Sequence, residues 1–353
     1  MALIEIKKVG IKAVATAVPF QKIRTENYEL LSETERSLFT KTTGIEERRV
    51  APPHLATSDL CIEPAKQILK KLNWQPEEID AIIVITQSPD HFIPCTAISI
   101  QHQLSLKKST IAFDINLGCS GYVYGLYVMS QLLSSGTVRK GLLLAGDKST
   151  MSTCYRDKST FPLFGDAGSA TALEFDTEAS SLFFQLSSDG AGKEAIMVED
   201  GGSRNGVKED TFVEKEIAPG IKRSKRHLRL DGIEIFNFAL REVAPSIEEL
   251  YAFSGRKIDQ TDYFVFHQAN KLINESVRKK LKILATEKVL YSLEKFGNTS
   301  SASIPLTMVT ELNKVSDAEK LDLCLSGFGV GFSWASCLML TQNLTCLPLI
   351  ELS

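Results

Sequence analysis

Three stretches of this chain recur in the same order at an offset of about 180 residues, and that repetition constrains the fold more than any other feature. The segment CIEPAKQILKKLNWQPEEIDAIIVITQSPD (61–90) reads as an amphipathic helix, a turn, an acidic step and a short β-branched run, and VAPSIEELYAFSGRKIDQTDYFVFHQAN (243–270) repeats it. IAFDINLGCSGYVYGL (111–126) matches VLYSLEKFGNTSSASIPL (289–306), and GLLLAGDKS (141–149) matches LCLSGFGVG (323–331). Strands alternating with helices, several of them short unbroken apolar runs, predict mainly parallel sheets buried on both faces. The fold class expected is therefore a duplicated α/β architecture. Its first half spans 1–175, ending after the strand SATALEF, and its second half spans 176–353.

Composition removes several function classes. Forty basic against forty-three acidic side chains leave a formal charge of −3, so no global field attracts nucleic acid or an anionic membrane. The longest apolar runs, near Ile82 and Leu143, are far short of the roughly 20 residues a membrane span needs. The start, MALIEIKKVGIKAVATAVP, alternates like a strand and does not resemble a leader peptide. Seven scattered cysteines without a C-x-x-C pair suggest reduced thiols and a cytoplasmic setting. Between Met197 and Leu230 the chain is polar, and the basic run IKRSKRHLR (221–229) within it reads as a solvated loop or helix face.

Matching positions in the two halves carry different chemistry. In the first, a strand ending near Asn116 leads through Gly-Cys-Ser-Gly into a helix whose apolar face holds Tyr122, Leu126 and Met129. Cys119 then lies at a helix N-terminus, which is expected to lower its pKa from about 8.5 and yield a nucleophile; a buried small hydrophobe is the other reading. Cys154 is the second candidate nucleophile. In the second half His267 stands at the end of the strand Tyr-Phe-Val-Phe, where open α/β sheets place their sites, and Asn298 opens a helix as either a plain N-cap or a site residue. Pseudo-symmetry would bring Cys119, Asn298 and His267 together. The glycine-rich turn SGFGVGFSW (326–334) offers backbone N–H groups for an oxyanion but lacks G-x-G-x-x-G spacing. No H-E-x-x-H or phosphate-loop motif is present, so no metal site is expected.

Taken together, TTGIEERRVA (42–51), FDINLGCSGYVYGL (113–126), PLFGDAGSATAL (162–173), VFHQANKLI (265–273), KFGNTSSASIPL (295–306) and GFGVGFSW (327–334) resemble β-ketoacyl-acyl-carrier-protein synthase III of the thiolase superfamily. The resemblance covers nearly the whole chain. It implies a five-layered αβαβα fold, a homodimer, and catalysis by Cys119, His267 and Asn298. An acyl-CoA or acyl-carrier-protein thioester would acylate Cys119, with the backbone of Cys119 and Val330 holding the oxyanion. Malonyl-acyl-carrier protein would then decarboxylate and attack, with no metal or redox cofactor. Phe164, Phe328 and Ile93 would line the acyl pocket.

Some positions depart from the family pattern. Leu38 stands where housekeeping members carry a tryptophan against the coenzyme A adenine, and Lys158 where an arginine completes the sandwich. Ile93 occupies the place of a phenylalanine that closes the pocket across the dimer, which predicts a longer or branched acyl group. Asn270 and Lys271 lie where the family meets its donor and its acidic carrier protein, and the basic 221–229 run is a possible aid to docking. Two other readings stay open: transfer of the Cys119-bound acyl group to an oxygen or nitrogen nucleophile, and a non-catalytic subunit of a heteromeric condensing complex.

Overall fold

The computed structural model describes residues 2–313 and 320–353. Its first sheet runs β17 (Thr345–Cys346), β2 (Val9–Pro19), β8 (Ala167–Phe175), β7 (Lys140–Asp147), β5 (Ala81–Ile85) and β6 (Ile111–Ile115), with β18 (Ile350–Leu352) also on β2. The second runs β1 (Ala2–Ile6), β9 (Leu182–Ser188), β16 (Ser333–Leu340), β15 (Asp322–Gly329) and β14 (Tyr263–Phe266). The order β2-β8-β7-β5 is thus repeated by β9-β16-β15-β14. In the second half the counterpart of β6 is reduced to a single parallel bridge between Phe264 and Val289. The first strand of the chain lies in the second sheet and its last two lie in the first, so each half borrows an edge from the other terminus.

Five layers follow from which faces are apolar. In β5, Ala81, Ile83 and Ile85 point into one core and Ile82 and Val84 into another, the period-2 alternation of a strand covered on both sides. Val265 of β14 likewise joins the central core, while Phe264 and Phe266 face outward into a third. Helices α4 (Gly121–Ser134) and α9 (Ser303–Leu312) touch both sheets and form the middle layer. Outside the first sheet lie α2 (Thr57–Leu72) and α3 (Thr96–Gln103). Helix α6 (Ala244–Ser254) covers the second sheet, and α7 (Lys271–Lys280) packs beside α6. Among the described residues no helix is long and apolar enough to cross a membrane.

Two expectations need correction. The sheets are mixed: β5 pairs in parallel with β6 and β7, β2 with β17 and β18, and β14 with β15, while the other pairs in these two sheets are antiparallel. The β15–β16 pair is antiparallel because a turn as short as residues 330–332 cannot make the crossover that parallel strands need, and the matching β7–β8 pair has the same orientation. The basic run 221–229 is also not simply a loop or helix face, since both its ends are strands of the 196–230 segment. That segment contributes β10 (Ile196–Val198) paired with β13 (Leu228–Leu230), and the hairpin of β11 (Lys215–Ala218) and β12 (Ile221–Arg223). Three side chains of its basic run are ion-paired: Arg223 with Asp157 at 2.8 Å, Lys225 with Asp210 at 2.7 Å and Arg229 with Glu199 at 3.3 Å.

The outer elements that border the site are shorter. Hairpin β3 (Lys22–Arg24) and β4 (Glu47–Arg49) flanks α1 (Glu33–Thr43), whose N-terminus carries a capping box of Ser32 and Glu35 and whose C-terminus stops at left-handed Gly44. Helices α5 (Gly232–Phe238) and α8 (Leu293–Phe296) complete the set referred to below.

Candidate active site

Loops at the carboxyl ends of the parallel strands of both sheets meet over one cavity of 340 Å³, lined by Cys119, His267 and Asn298 among others. Cys119 lies between β6 and α4, His267 follows β14, and Asn298 lies between α8 and α9. All three are buried.

Glycines let the second half close over the thiol. A Cβ at Gly329 would stand 2.7 Å from Cys119 Sγ, and one at Gly327 would stand 2.6 Å from the Cys119 carbonyl oxygen, so neither position has room for a side chain. This approach brings the Val330 backbone N–H onto the sulfur, and the N–H of Cys119 itself also points there. Ser120 Oγ and Ser333 Oγ meet at 2.6 Å and tie the two loops together.

The expected lowering of the Cys119 pKa is not found. Burial pushes the thiol up to about 11, with a smaller upward push from the Asp147 carboxylate, and the two N–H groups offset this only in part. A helix N-terminus acidifies a thiol that retains water. Here the close approach of Gly327 and Gly329 leaves the sulfur buried. His267 is depressed to about 3 by its burial, so its imidazole is neutral at physiological pH. Resting Cys119 and His267 are therefore an uncharged pair.

Neighbouring side chains orient the cluster. His267 Nδ1 lies 2.7 Å from Ser303 Oγ, and the ring stands edge-on to Phe328 with centroids 5.9 Å apart. Asn298 Oδ1 accepts the Ser300 N–H at 2.9 Å, which turns its NH2 group away from its own loop. The Asn298 backbone is clamped by the segment 163–165: its N–H donates to Leu163 O at 2.9 Å, and its carbonyl accepts from Gly165 N at 3.0 Å. This pairing explains the two glycine motifs. A Cβ at Gly165 would stand 2.2 Å from the Phe296 carbonyl, and one at Gly297 would stand 2.8 Å from that of Leu163.

Of the other candidates, Phe164, Phe328, Val330 and Asn270 line the same cavity, and Asn270 also caps α7 by accepting the Ile273 N–H at 2.8 Å. Ile93 does not line it; the side chain is 87% exposed on the loop after β5, beside an equally exposed Phe92. Leu38 and Lys158 lie outside the cavity as well. Leu38 is exposed on α1, and Lys158 is held by Glu35 at 2.7 Å, an ion pair that keeps the Glu35 carboxyl down at about 2. Lys271 opens α7 with its side chain against Gly44. Cys154 is buried away from the cavity, its thiol 3.7 Å from Glu214.

Sequence reasoning missed Asp147, Ser303 and Gln87. Asp147 is fully buried at the end of β7 and accepts from Gln87 N at 2.7 Å, Thr86 Oγ1 at 3.2 Å, Ser301 N at 3.1 Å and Ser301 Oγ at 2.6 Å. It thus joins the loops of the two halves, and burial pushes its carboxyl above the usual range. The strand-end argument that singled out His267 applies equally to GLLLAGD, so a signal for Asp147 was present.

Comparison with known proteins gives the family. The family model described as 3-oxoacyl-[acyl-carrier-protein] synthase III matches residues 113–190, and its C-terminal companion matches residues 252–340. A β-ketoacyl-[acyl-carrier-protein] synthase III from Caldanaerobacter subterraneus subsp. tengcongensis is 34% identical over 93% of this chain and 96% of its own length. The crystal structure of a 3-oxoacyl-(acyl-carrier protein) synthase from Burkholderia xenovorans LB400 superposes with a TM-score of 0.93 at 34% identity, covering 99% of both chains. The priming β-ketosynthase of the R1128 polyketide pathway shares the fold at a TM-score of 0.81 and 24% identity, over 97% of this chain and 99% of its own. On this sequence identity across nearly its full length, and on the thiolase fold that carries the site, the chain belongs to the β-ketoacyl-acyl-carrier-protein synthase III family.

Proposed function

We propose that the protein is a condensing enzyme: an acyl thioester transfers its acyl group to Cys119, and malonyl-acyl-carrier protein is then decarboxylated and acylated. The observation that carries this reading is the convergence of Cys119, His267 and Asn298 on one cavity, with two backbone N–H groups at the sulfur. In the first step the Cys119 sulfur displaces the donor thiol, and the thiol proton leaves with the departing sulfur, so the exchange is proton-neutral. The N–H groups of Cys119 and Val330 stabilise the tetrahedral oxyanion. In the second step the malonyl C–C bond breaks, carbon dioxide departs, and the electron pair becomes an enolate. The Asn298 NH2 and His267 Nε2–H donate to that oxygen. The enolate carbon attacks the acyl-Cys119 carbonyl, and Cys119 leaves as thiolate and takes up a proton. The electrons come from the broken C–C bond, so the balance calls for no external oxidant or reductant.

A neutral imidazole suits this role only as the Nε2–H tautomer. Ser303 Oγ accepts the Gln268 N–H at 3.4 Å, which leaves its own hydrogen free to donate to Nδ1 and supports the Nε2–H tautomer. The Ser300 backbone oxygen favours a protonated ring but is outweighed by burial. Because His267 titrates near 3, the malonyl step is expected to show no histidine-type break between pH 5 and 8, and to fall only towards pH 3 as the ring gains a proton and loses its neutral form. Ser303→Ala should slow the malonyl step by about tenfold while leaving Cys119 acylation unchanged. Pre-steady-state measurement of the two half-reactions over pH reads both effects, and an equal loss in the two steps would remove the positioning role.

The donor and the assembly belong to the same reading. The positions at which the family resemblance implies an adenine sandwich hold exposed Leu38 and a Lys158 already paired with Glu35. This supports a carrier-protein thioester as acyl donor in preference to acyl-CoA, with Lys271 beside the cavity residue Asn270 contributing to docking. The exposed β6 edge, together with Phe92 and Ile93, supports a homodimer. Seven free thiols are consistent with a reducing, cytoplasmic setting. Incubation with an acyl donor and malonyl-carrier protein tests the function. A β-ketoacyl-carrier-protein product supports it, and discharge of the acyl group only by alcohols or amines would replace it with simple acyl transfer.

A further inference from the structure

The part of the cavity lining that comes from the ends of β5, β6 and β7 is polar, whereas β10, β13 and α5 contribute apolar side chains that include Met197, Leu228, Leu230 and Ile235. The polar groups come from the carboxyl ends of three neighbouring parallel strands. Asn116 follows β6, Gln87 follows β5, and Ser149 and Ser152 follow β7. Two kinds of polar group are present. Asp147 and Ser88 form a satisfied frame: Asp147 accepts the Gln87 N–H, and Ser88 Oγ meets Thr57 Oγ1 at 2.9 Å and accepts from Lys148 N at 2.8 Å. That frame fixes the backbone from which the other side chains project. Those of Gln87, Asn116, Ser149 and Ser152 make no hydrogen bond among the described residues, although all four line the cavity.

Gln87 is also within reach of an acyl group on the nucleophile. A Cβ at Gly118, the residue before Cys119, would stand 2.3 Å from Gln87 Oε1 and 3.1 Å from Ser300 Oγ. The amide therefore occupies the space beside the nucleophile turn, and glycine at 118 is what admits it. An alkyl chain laid over this wall would displace water from four polar side chains and return no hydrogen bond. A chain with an oxygen a few atoms from the thioester would replace that water.

Resting on the condensing reading, we infer that the acyl group this enzyme takes is short and polar, bearing a hydroxyl or carbonyl oxygen close to the thioester that hydrogen-bonds to Gln87 and its neighbours. The expectation drawn from Ile93, a longer or branched alkyl chain, concerns the pocket across the dimer, whereas the polar side chains described here line the chain's own cavity.

The test loads Cys119 from thioesters of equal length, butyryl against 3-hydroxybutyryl and acetoacetyl, with hexanoyl to decanoyl alongside, each on coenzyme A and on acyl carrier protein. The rate of adduct formation is followed by intact mass. The oxygenated groups are expected to load at least about tenfold faster than butyryl, since a site built to hydrogen-bond a substrate oxygen discriminates strongly against the analogue lacking it. In Gln87→Leu the ratio of oxygenated to butyryl loading should fall towards one. Loading that favours butyryl or the longer alkyl chains, or a ratio unchanged in Gln87→Leu, overturns the inference and leaves the condensing reading standing. Absence of an adduct from every donor overturns both.

Discussion

Cys119→Ala is expected to carry no acyl group after incubation with any donor, and to lose condensing activity by at least about three orders of magnitude. The size of the effect follows from the chemistry: without the sulfur there is no acyl-enzyme, and the two N–H groups of the oxyanion site have no tetrahedral centre to hold. The remaining thiols do not replace it. Cys61, Cys324 and Cys337 are fully buried, with burial pushing each thiol up, and Cys154 faces Glu214 away from the cavity. The measurement is intact mass with acyl donor, together with product formation from malonyl-carrier protein. An adduct of wild-type stoichiometry on the Ala variant would move the nucleophile elsewhere.

His267→Ala and Asn298→Ala should separate the two half-reactions. Each removes one donor to the enolate oxygen, and loss of a preorganised donor of this kind costs on the order of 100- to 1000-fold. Acylation of Cys119 uses a different pair of donors, the backbone N–H groups of Cys119 and Val330, and is expected to stay within a few-fold of wild type. The neutral resting state of His267 strengthens the contrast, since an imidazole pushed down to about 3 is a poor base for the Cys119 thiol but an adequate hydrogen-bond donor. Thiol labelling and carbon dioxide release, measured on the same preparations, distinguish the steps. Equal loss in both would make His267 part of the acylation machinery instead.

The convergence of Cys119, His267 and Asn298 was legible in the sequence, and their electrostatics were not. Strand-end placement and the internal repeat were enough to single out Cys119, His267 and Asn298, because both are local patterns read along the chain. The thiol's environment depends on Gly327 and Gly329, some two hundred residues further on, and on how closely they pack. No local signal reports that distance. A helix N-terminus was therefore read as an acidifying influence when burial dominates. Gln87 and Ser303 escaped notice for a related reason: each matters through a contact, with Gly118 or with His267 Nδ1, that only the folded chain creates. The basic run at 221–229 was misread in the opposite sense. Its partners Asp157, Asp210 and Glu199 are separated from it in sequence, and they turn an apparent patch of free charge into a set of ion pairs.

The terminal strands show the same limit at the level of the fold. The alternation in ALIEI predicted a strand but not that it would join the sheet of the second half, which requires β9 to present a free edge. The central strands were easier to read because an unbroken run such as AIIVI has apolar residues for both faces, and only a doubly covered sheet accepts them.

The central claim is that one sulfur holds the acyl group and one decarboxylation releases it. The most direct test is a single-turnover chase: protein acylated at Cys119 is mixed with malonyl-carrier protein, and adduct mass, carbon dioxide and product are followed together. Loss of the adduct with one carbon dioxide and one β-ketoacyl-carrier protein formed per acyl group is the result predicted. An adduct that persists through the chase, or that is lost without release of carbon dioxide, would contradict it.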